Sequence, residues 1–395
     1  MTKALGNQNS TWRGMTSSSA SKTLEGSGKQ RAAVIELVRA TPPLIPAIES
    51  VLQETFAALQ SSLALPGEFQ QHRFGGTAED KEAAARWLGR RLAYTPDSDL
   101  VIVTNGMQNT LFLLAAGVVG SGNVLLTESL TYPQIKSLSN LLGVRVVGVP
   151  IDTEGVLPDA LDFACRTYAP KALYCIPTIH NPTTSVMGND RRREVVEVAR
   201  RHRIFIFEDD AQSMLAANSP PPIATFGPDL TWYTMTLSKS TAVGLRVCYL
   251  LAPAGNHLEP LMSRFRAMSM WFASPISAAI ASRWTRDGTA ERVLLAIRDE
   301  MASRHAIAAN VLKKLPFVAS PYALFGWLAL PDGMRSREFG AAMADAGILL
   351  RAGEQFAVVD SPIPQGMRVS LSARPREELE QGLSILAEAF NRVVA

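Results

Sequence analysis

Four polar side chains, far apart in the chain, together form a set that could act on an amino acid. Lys239 ends the run Thr236-Leu237-Ser238-Lys239, Asp209 lies thirty residues earlier, and Asn181 and Arg368 lie further away. An amine can form a Schiff base with an aldehyde, a carboxylate can keep a ring nitrogen protonated, and a guanidinium can hold a carboxylate. This combination predicts a site for pyridoxal 5′-phosphate, with Lys239 on its aldehyde.

The amine of a free lysine, with a pKa near 10.4, is mostly protonated at neutral pH and is then a poor nucleophile. We expect burial and nearby cations, including Arg246, to lower the pKa of Lys239. The same amine, once released, could move the α-proton of a substrate. The alternative for a single lysine after a strand is an exposed surface position. For Asp209 and Asp210 the alternative is a helix N-cap.

A short glycine-containing turn could hold an anion. Gly106-Met107-Gln108 follows an apolar run at 101–103 and begins a helical pattern over 108–119. The N–H groups at the start of a helix bind phosphate well. The alternative for Gly106 is a simple left-handed turn.

Composition limits the class of protein. The chain has 395 residues, of which 47% are apolar and 19% charged, with a formal net charge of +3. These values are typical of a globular protein and give nucleic-acid binding no electrostatic support. The three cysteines and five histidines show no metal-ligand spacing, so we expect no metal site. The chain contains no apolar run that could span a bilayer and no signal-like segment, which favours a cytoplasmic location.

The elements that must position these residues follow an alternating pattern. Between about 100 and 255, short apolar runs alternate with helical patterns such as 108–119 and 190–202, which predicts a mostly parallel α/β sheet. The run containing Arg145 is less apolar and is placed nearer an edge. Polar residues follow soon after several runs, so we expect them to meet at the carboxyl edge of the sheet. The predicted strands are 101–103, 124–126, 144–149, 172–176, 204–207 and 247–250.

The pattern changes near residue 272, which predicts a domain boundary. Long helical stretches cover 276–315, another helix is expected over 45–59, and the chain ends in a helix. The apolar positions of that last helix are Leu379, Leu383, Leu386, Phe390 and Val393. We predict a flexible arm (1–30), the first part of a small domain (31–70), a large cofactor-binding domain (71–272), and an interdomain helix with the rest of the small domain (273–395).

Three ordered motifs resemble those of fold-type I pyridoxal-phosphate enzymes. They are Ile206-Phe207-Glu208-Asp209-Asp210, His180-Asn181-Pro182-Thr183 and Ser238-Lys239…Gly244-Leu245-Arg246. The chain resembles most the class I/II aminotransferases and, within them, the aminotransferase-like domains of the MocR group, from about Phe74 to the C-terminus. The resemblance implies a large α/β domain, a smaller α+β domain formed by both chain ends, and a homodimer with sites at its interface.

The resemblance also implies a role for each site residue. Asp209, rather than Asp210, holds the pyridine nitrogen, which leaves the N-cap role to Asp210. Tyr132 stacks on the ring, for which the alternative is a core tyrosine. Arg368 grips the substrate α-carboxylate, for which the alternative is a surface salt bridge. Asn181 bonds the phenolic oxygen of the cofactor and lies at the substrate site. The phosphate ligands are Gly106, Met107, Gln108, Thr236, Ser238 and Arg246.

Four positions depart from the family pattern. Gln212 replaces a tyrosine that bonds the phenolic oxygen, and an amide can donate a hydrogen bond but cannot ionise. Met107 replaces a hydroxyl residue, so its phosphate contact would come from the backbone. Thr184 replaces a glycine. Phe74 replaces a tyrosine that reaches the phosphate of the neighbouring subunit, so we do not expect Phe74 to be a ligand.

The function predicted from these residues is that of an aminotransferase acting on an amino acid and a 2-oxo acid. The departures keep open elimination, cyclisation or β-substitution with the same cofactor. A third interpretation is a sensor, because the MocR group fuses this domain to a winged helix-turn-helix. We expect the first thirty residues to be too short and too poor in apolar residues for such a module. Nucleic acid and membrane partners are therefore not expected.

Overall fold

The fold is described by a computed structural model for residues 34–61, 66–67, 70, 72–216, 218–266, 272–358 and 363–394. The predicted arm at 1–30 lies outside the described residues. The described residues from Val34 onward belong to one compact unit. The domain boundaries expected at 30, 70 and 272 stay predictions.

Strands occur throughout the described chain. They are β1 (Ile35–Glu36), β2 (Val101–Thr104), β3 (Val124–Glu128), β4 (Arg145–Val149), β5 (Ile151–Asp152), β6 (Gly155–Val156), β7 (Ala172–Cys175), β8 (Phe205–Asp209), β9 (Thr231–Thr236), β10 (Cys248–Leu251), β11 (Phe317–Val318), β12 (Phe325–Ala329), β13 (Ile348–Leu349), β14 (Arg351–Ala352) and β15 (Gly366–Ser370). Six of them (β2, β3, β4, β7, β8 and β10) lie near the six predicted positions, whereas the long strands β9, β12 and β15 were not predicted.

Seven of these strands form the central sheet in the order β2-β10-β9-β8-β7-β3-β4. Strand β10 runs antiparallel to both neighbours, and the other neighbouring strands pair in parallel. Strands β2, β7, β9 and β10 are buried at every residue, because helices cover both faces of the sheet. The mostly parallel α/β fold is thus confirmed. Strand β4, with exposed Arg145, lies at the edge, as expected.

Helices connect the strands and pack on both faces of the sheet. They are α1 (Pro46–Gln60), α2 (Ala78–Leu92), α3 (Gly106–Leu114), α4 (Pro133–Leu141), α5 (Pro158–Tyr168), α6 (Asn189–His202), α7 (Ile223–Phe226), α8 (Leu258–Phe265), α9 (Pro275–Arg286), α10 (Thr289–Val311), α11 (Ser336–Asp345) and α12 (Arg376–Val394). Among these helices, none combines enough length and hydropathy to cross a lipid bilayer.

Local sequence explains where several helices begin. Thr77 and Asp80 form a capping box at the start of α2, in which each side chain accepts a hydrogen bond from the backbone N–H of the other. Proline stands at the first position of α1, α4, α5 and α9, where its missing N–H costs no hydrogen bond.

The C-terminal part of the chain builds a second sheet beside the first. Four strands pair antiparallel in the order β11-β12-β15-β14, and β1 pairs in parallel with β13. Helix α12 buries Leu379, Leu383, Leu386 and most of Phe390. Val393 was expected on the same face but is 42% exposed, because it lies in the last turn of α12, beyond the core.

Candidate active site

All of the predicted site residues except Gly106 line one cavity of about 290 Å³, at the carboxyl ends of the parallel strands. Gly106 lies next to the cavity, at the start of α3. Strand β8 ends at Asp209, and Lys239 follows β9 by three residues. Because these parallel strands end at one edge of the sheet, residues that are distant in sequence meet in the cavity.

Lys239 is mostly buried, and its Nζ donates a hydrogen bond to the backbone carbonyl of Ala40. The pKa of Lys239 is lowered to about 8, first because burial removes hydration and then because Arg368 is close. Asp209 opposes this lowering. The cation that acts on Lys239 is Arg368, whereas the sequence had suggested Arg246. The amine is thus partly free base near neutral pH.

Asp209 is fixed by two hydrogen bonds. Its Oδ2 accepts from the hydroxyl of Tyr174 at 2.7 Å, and its Oδ1 accepts from the N–H of Ala211 at 3.1 Å. Burial raises the pKa of Asp209 to about 6, and the two hydrogen bonds oppose that rise. A buried carboxylate with this affinity for a proton is suited to sharing one with a ring nitrogen.

Asp210 forms a buried ion pair in place of the helix cap expected from the sequence. Its Oδ2 accepts from the hydroxyl of Tyr233 at 2.6 Å and lies 3.3 Å from Nε of Arg91. The expectation was wrong because Asp210 continues the extended backbone of β8, donating its N–H to the carbonyl of Thr234. Successive side chains of an extended segment point to opposite faces, so Asp209 and Asp210 reach different partners.

Arg368 is a buried cation without a carboxylate partner among the described residues. Its guanidinium donates to Oδ1 of Asn181 at 2.8 Å and to the carbonyl of Val38 at 2.6 Å, and its Nε has no partner. The rings of Phe325 and Phe356 lie 4.9 and 5.1 Å from it. Burial, and secondly Arg351, lower the pKa of Arg368 to about 9. Such a fork between aromatic faces suits a planar anion.

The start of α3 faces a guanidinium. Gly106 has a φ of +77°, and a Cβ built there would lie 3.5–3.6 Å from the guanidinium of Arg246. Glycine adopts this conformation without strain. Nearby, Oγ1 of Thr236 accepts from the N–H of Ser238 at 3.2 Å. Helix N–H groups, a cation and hydroxyls form a chemically suitable cradle for a phosphate.

Tyr132 and Gln212 line the cavity in different ways. The hydroxyl of Tyr132 accepts from the side-chain amide of Gln108 at 3.2 Å, and burial raises the pKa of Tyr132. Oε1 of Gln212 accepts from the N–H of Leu324 at 3.2 Å, just before β12. Gln212 thus connects the loop after β8 to the second sheet, because its amide oxygen can accept from a backbone N–H group.

Arg192 stabilises the loop that carries Asn181 through contacts on both sides of it in sequence. The Arg192 side chain donates to the carbonyls of Met187 and Pro177, each at 2.9 Å, and lies 3.5 Å from Glu208. Burial raises the pKa of Glu208 to about 7. Nothing in the sequence motif singled out Arg192, because its partners are mostly backbone carbonyls.

The structure shows the environment of two departures from the family pattern, Thr184 and Phe74. Thr184 has a φ of +62°, a conformation that glycine adopts freely and threonine at a cost of about 1–2 kcal/mol. Thr184 is also absent from the cavity lining, so this departure concerns the loop rather than the reacting groups. Phe74 lies outside the cavity and contacts His72 and Phe272 through its ring.

Sequence reasoning missed two parts of the cavity wall. The first is the segment 38–41, which we call the N-terminal segment. Its consecutive carbonyls accept hydrogen bonds from three side chains: Val38 from Arg368, Arg39 from Ser370 and Ala40 from Lys239. The second is Arg351 with the rings of Phe325 and Phe356. Backbone carbonyls carry no residue-type signal, and only the lone arginine in the apolar run before Gly353 could have been noticed.

This fold and this arrangement of lysine, aspartate and arginine define a class of protein. The chain belongs to the family described as Aminotransferase class I and II, which matches residues 46–386. Pyridoxal 5′-phosphate is the cofactor of this family. The residues present fit it, with an amine, a buried acid and an anion cradle in one cavity.

Similar proteins include both regulators and enzymes. The uncharacterized HTH-type transcriptional regulator YdeF of Bacillus subtilis is 30% identical over 80% of this chain and 68% of its own length. The 2-aminoadipate transaminase of Thermus thermophilus is 25% identical over 81% of each chain. The structure of Pyrococcus horikoshii kynurenine aminotransferase, 21% identical, superposes with a TM-score of 0.81 over 92% of each chain. The chain spans 63–68% of the length of three Bacillus subtilis regulators that it matches.

Proposed function

We propose that the protein is an aminotransferase that moves the amino group of an amino acid to a 2-oxo acid. The observation that carries this proposal is the position of Lys239. Its amine, with a pKa lowered to about 8, lies in one cavity with Asp209 and Arg368. Membership of the aminotransferase family supports the same conclusion.

We assign the cofactor contacts as follows. Lys239 would hold the aldehyde carbon, Asp209 would share a proton with the pyridine nitrogen, and Tyr132 would lie against the ring. When bound, pyridoxal 5′-phosphate supplies an electron sink for negative charge at the substrate Cα. The phosphate would be held by Gly106, Met107, Gln108, Thr236, Ser238 and Arg246, and the phenolic oxygen by Asn181 and Gln212.

Lys239 is the residue placed to move the substrate proton. A base works best when its pKa is close to the working pH, and burial brings the pKa of Lys239 to about 8. Its Nζ would take the α-proton and later return a proton from the same position. Arg368 would orient the substrate through its α-carboxylate, and the rings of Phe325 and Phe356 would exclude water around that contact.

The proposal extends to setting and assembly. We propose a cytoplasmic enzyme of amino acid metabolism that works as a homodimer with no nucleic acid partner. The homodimer rests on the family resemblance, and the absence of a nucleic acid partner rests on the small net charge of +3.

A second candidate is a ligand-sensing domain. The 30% identity to the regulator YdeF favours it. The same cavity could hold the cofactor and recognise an amino acid without completing turnover. A sequence-specific gel shift with genomic DNA at low salt would support this candidate.

The holoprotein should be mixed with a panel of amino acids and a 2-oxo acid, while cofactor absorbance and oxo-acid product are followed together. We expect a change in cofactor absorbance, and we expect one oxo-acid product for each amino acid consumed over many turnovers. Absorbance change with an elimination or substitution product would point to the other reactions of this cofactor. Binding without any product would support the sensor and overturn the proposed activity.

A further inference from the structure

A second arginine faces the substrate cavity beside Arg368. Arg351 in β14 and Arg368 in β15 are directly paired in an antiparallel ladder. Directly paired residues of such a ladder project from the same face of the sheet. Both residues line the cavity that contains Lys239. The two guanidinium groups are thus presented to the same ligand space.

Arg351 has no protein anion to neutralise it within the described residues. Its guanidinium forms no hydrogen bond or ion pair there, although Arg351 contributes to lowering the pKa of Arg368. The nearest acid in sequence, Glu354, accepts instead from the backbone N–H of Arg337 at 3.2 Å, at the start of α11. Two like charges side by side are unfavourable until an anion joins them.

The proposed function accounts for the other cations of the cavity. The cofactor phosphate takes Arg246, the aldehyde takes Lys239, and the α-carboxylate takes Arg368. Asp209, the acidic residue of the described lining, accepts a hydrogen bond from Tyr174 and in this scheme would hold the ring nitrogen. Arg39 also lines the cavity but is exposed. Arg351, half-buried, is left with no ligand in this scheme.

We propose that Arg351 binds a second carboxylate, so that the site takes dicarboxylic amino acids and dicarboxylic 2-oxo acids. This inference rests on the proposed aminotransferase function. Arg368 holds the α-carboxylate and Arg351 the carboxylate at the far end of the side chain. A guanidinium suits this role because it offers a planar pair of donors that matches a carboxylate.

A binding experiment tests Arg351 without any need for turnover. Glutarate and its half-amide, glutaramate, differ in one carboxylate, and their affinities for the holoprotein can be measured by calorimetry. We expect the wild type to prefer glutarate by about 10- to 150-fold, the range for a hydrogen bond to a charged group. Arg351→Gln should bring this ratio close to one. Arg337→Gln, an exposed arginine outside the cavity, makes the same charge change and should keep the ratio.

Turnover provides a second, independent measurement. The kcat/KM ratio of glutamate to glutamine should fall by about 10- to 150-fold in Arg351→Gln, and Arg351→Lys should retain part of it. An unchanged ratio of the two kcat/KM values would overturn the inference. If both values fall equally, Arg351 serves the α-carboxylate or the phosphate instead. If no amino acid is turned over while glutarate selectivity depends on Arg351, the proposed function fails and the second carboxylate site stands. Thermal unfolding shows whether each variant folds, and Arg351→Met replaces Arg351→Gln if that variant does not fold.

Discussion

The two sides of the cavity are built differently. The cofactor side, formed by Gly106, Asp209, Thr236 and Arg246, lies at the ends of the central strands, and its acid is held by Tyr174 and a backbone N–H. The carboxylate side is formed by the N-terminal segment, Arg351 and Arg368. It holds Arg368 with the carbonyl of Val38 and the amide oxygen of Asn181, and it leaves Arg351 without a hydrogen bond among the described residues.

This difference indicates which side is complete without a ligand. A carbonyl dipole satisfies an N–H group but does not neutralise a charge, so the carboxylate side keeps an uncompensated positive field. Val38 accepts from the same guanidinium that would hold a substrate carboxylate. We therefore expect ligand binding to change contacts on the carboxylate side and to leave Asp209 and its partners in place.

Lys239, which links the two sides, should give the largest effect. Lys239→Ala should lower transamination by about 10²–10⁴-fold, the range for removing a general acid–base group. Borohydride reduction and peptide mapping should find the cofactor attached to Lys239 in the wild type and no attached cofactor in Lys239→Ala. Exposed Lys313→Ala is the matched control and should retain both properties. Label found on another lysine would remove the central role of Lys239.

The stability of the apoprotein should depend on the charge of Lys239. Its pKa is about 8 when folded and near 10.5 when unfolded, so between these pH values the unfolded chain binds more protons at this site. The free energy of unfolding should therefore rise with pH from 8 to 10.5, by about 3 kcal/mol at most. Urea unfolding of the wild type and Lys239→Met isolates this contribution. Identical pH slopes in the two proteins would show that the Lys239 amine is not desolvated.

Asp209 tests the cofactor side. Asp209→Asn cannot keep the ring nitrogen protonated, so α-proton exchange should slow by about 10- to 150-fold, equivalent to 1.5–3 kcal/mol. Substrate affinity should change less, and deuterium exchange at Cα measured by NMR separates the two. Asp210→Asn is the contrast, because its loss of the Arg91 ion pair should lower the unfolding temperature instead. A larger effect of Asp209→Asn on binding than on exchange would argue against the electron-sink role.

Arg368 tests the carboxylate side. Arg368→Ala should weaken amino-acid binding by about 1.5–3 kcal/mol and leave the binding of amines without a carboxylate nearly unchanged. Arg368→Lys keeps the charge but loses the planar fork, so it should recover part of the affinity. Titration of cofactor absorbance with an amino acid and its decarboxylated amine gives both affinities. Parallel losses for the two ligands would show that Arg368 does not read the carboxylate.

The smallest effect is expected where the N-terminal segment is anchored. Ser370→Ala removes one hydrogen bond to the carbonyl of Arg39 and should lower the free energy of unfolding by about 0.5–1.5 kcal/mol. Ser370 is not part of the cavity lining, so bound cofactor should be unaffected. Hydrogen exchange should increase in residues 37–40 and not around Asp209. Equal exchange in both regions would mean that the two sides open together.

The sequence alone predicted most residues of the cofactor side. The residues Asn181 and Asp209 follow strands that the sequence predicted, and the carboxyl ends of parallel strands meet at one edge, so position and residue type predicted a common cavity. Lys239 was assigned to the same cavity by its residue type and motif alone, because strand β9 before it was not predicted. The same reasoning placed the strand of Arg145 at the sheet edge. It failed for Asp210, because both a cap and an ion pair suit an aspartate and only its tertiary neighbour Arg91 decides.

Only the tertiary structure determined the carboxylate side. The carbonyls of Val38 and Ala40 accept hydrogen bonds from Arg368 and Lys239, which are distant in sequence. Because nearly every residue type carries the same backbone groups, the sequence gives no signal for such contacts. The pairing of Arg351 with Arg368 depends on strand register, which long-range packing sets and local sequence does not. The sequence therefore specified which groups could react, and the folded chain specified which charges were left for a substrate.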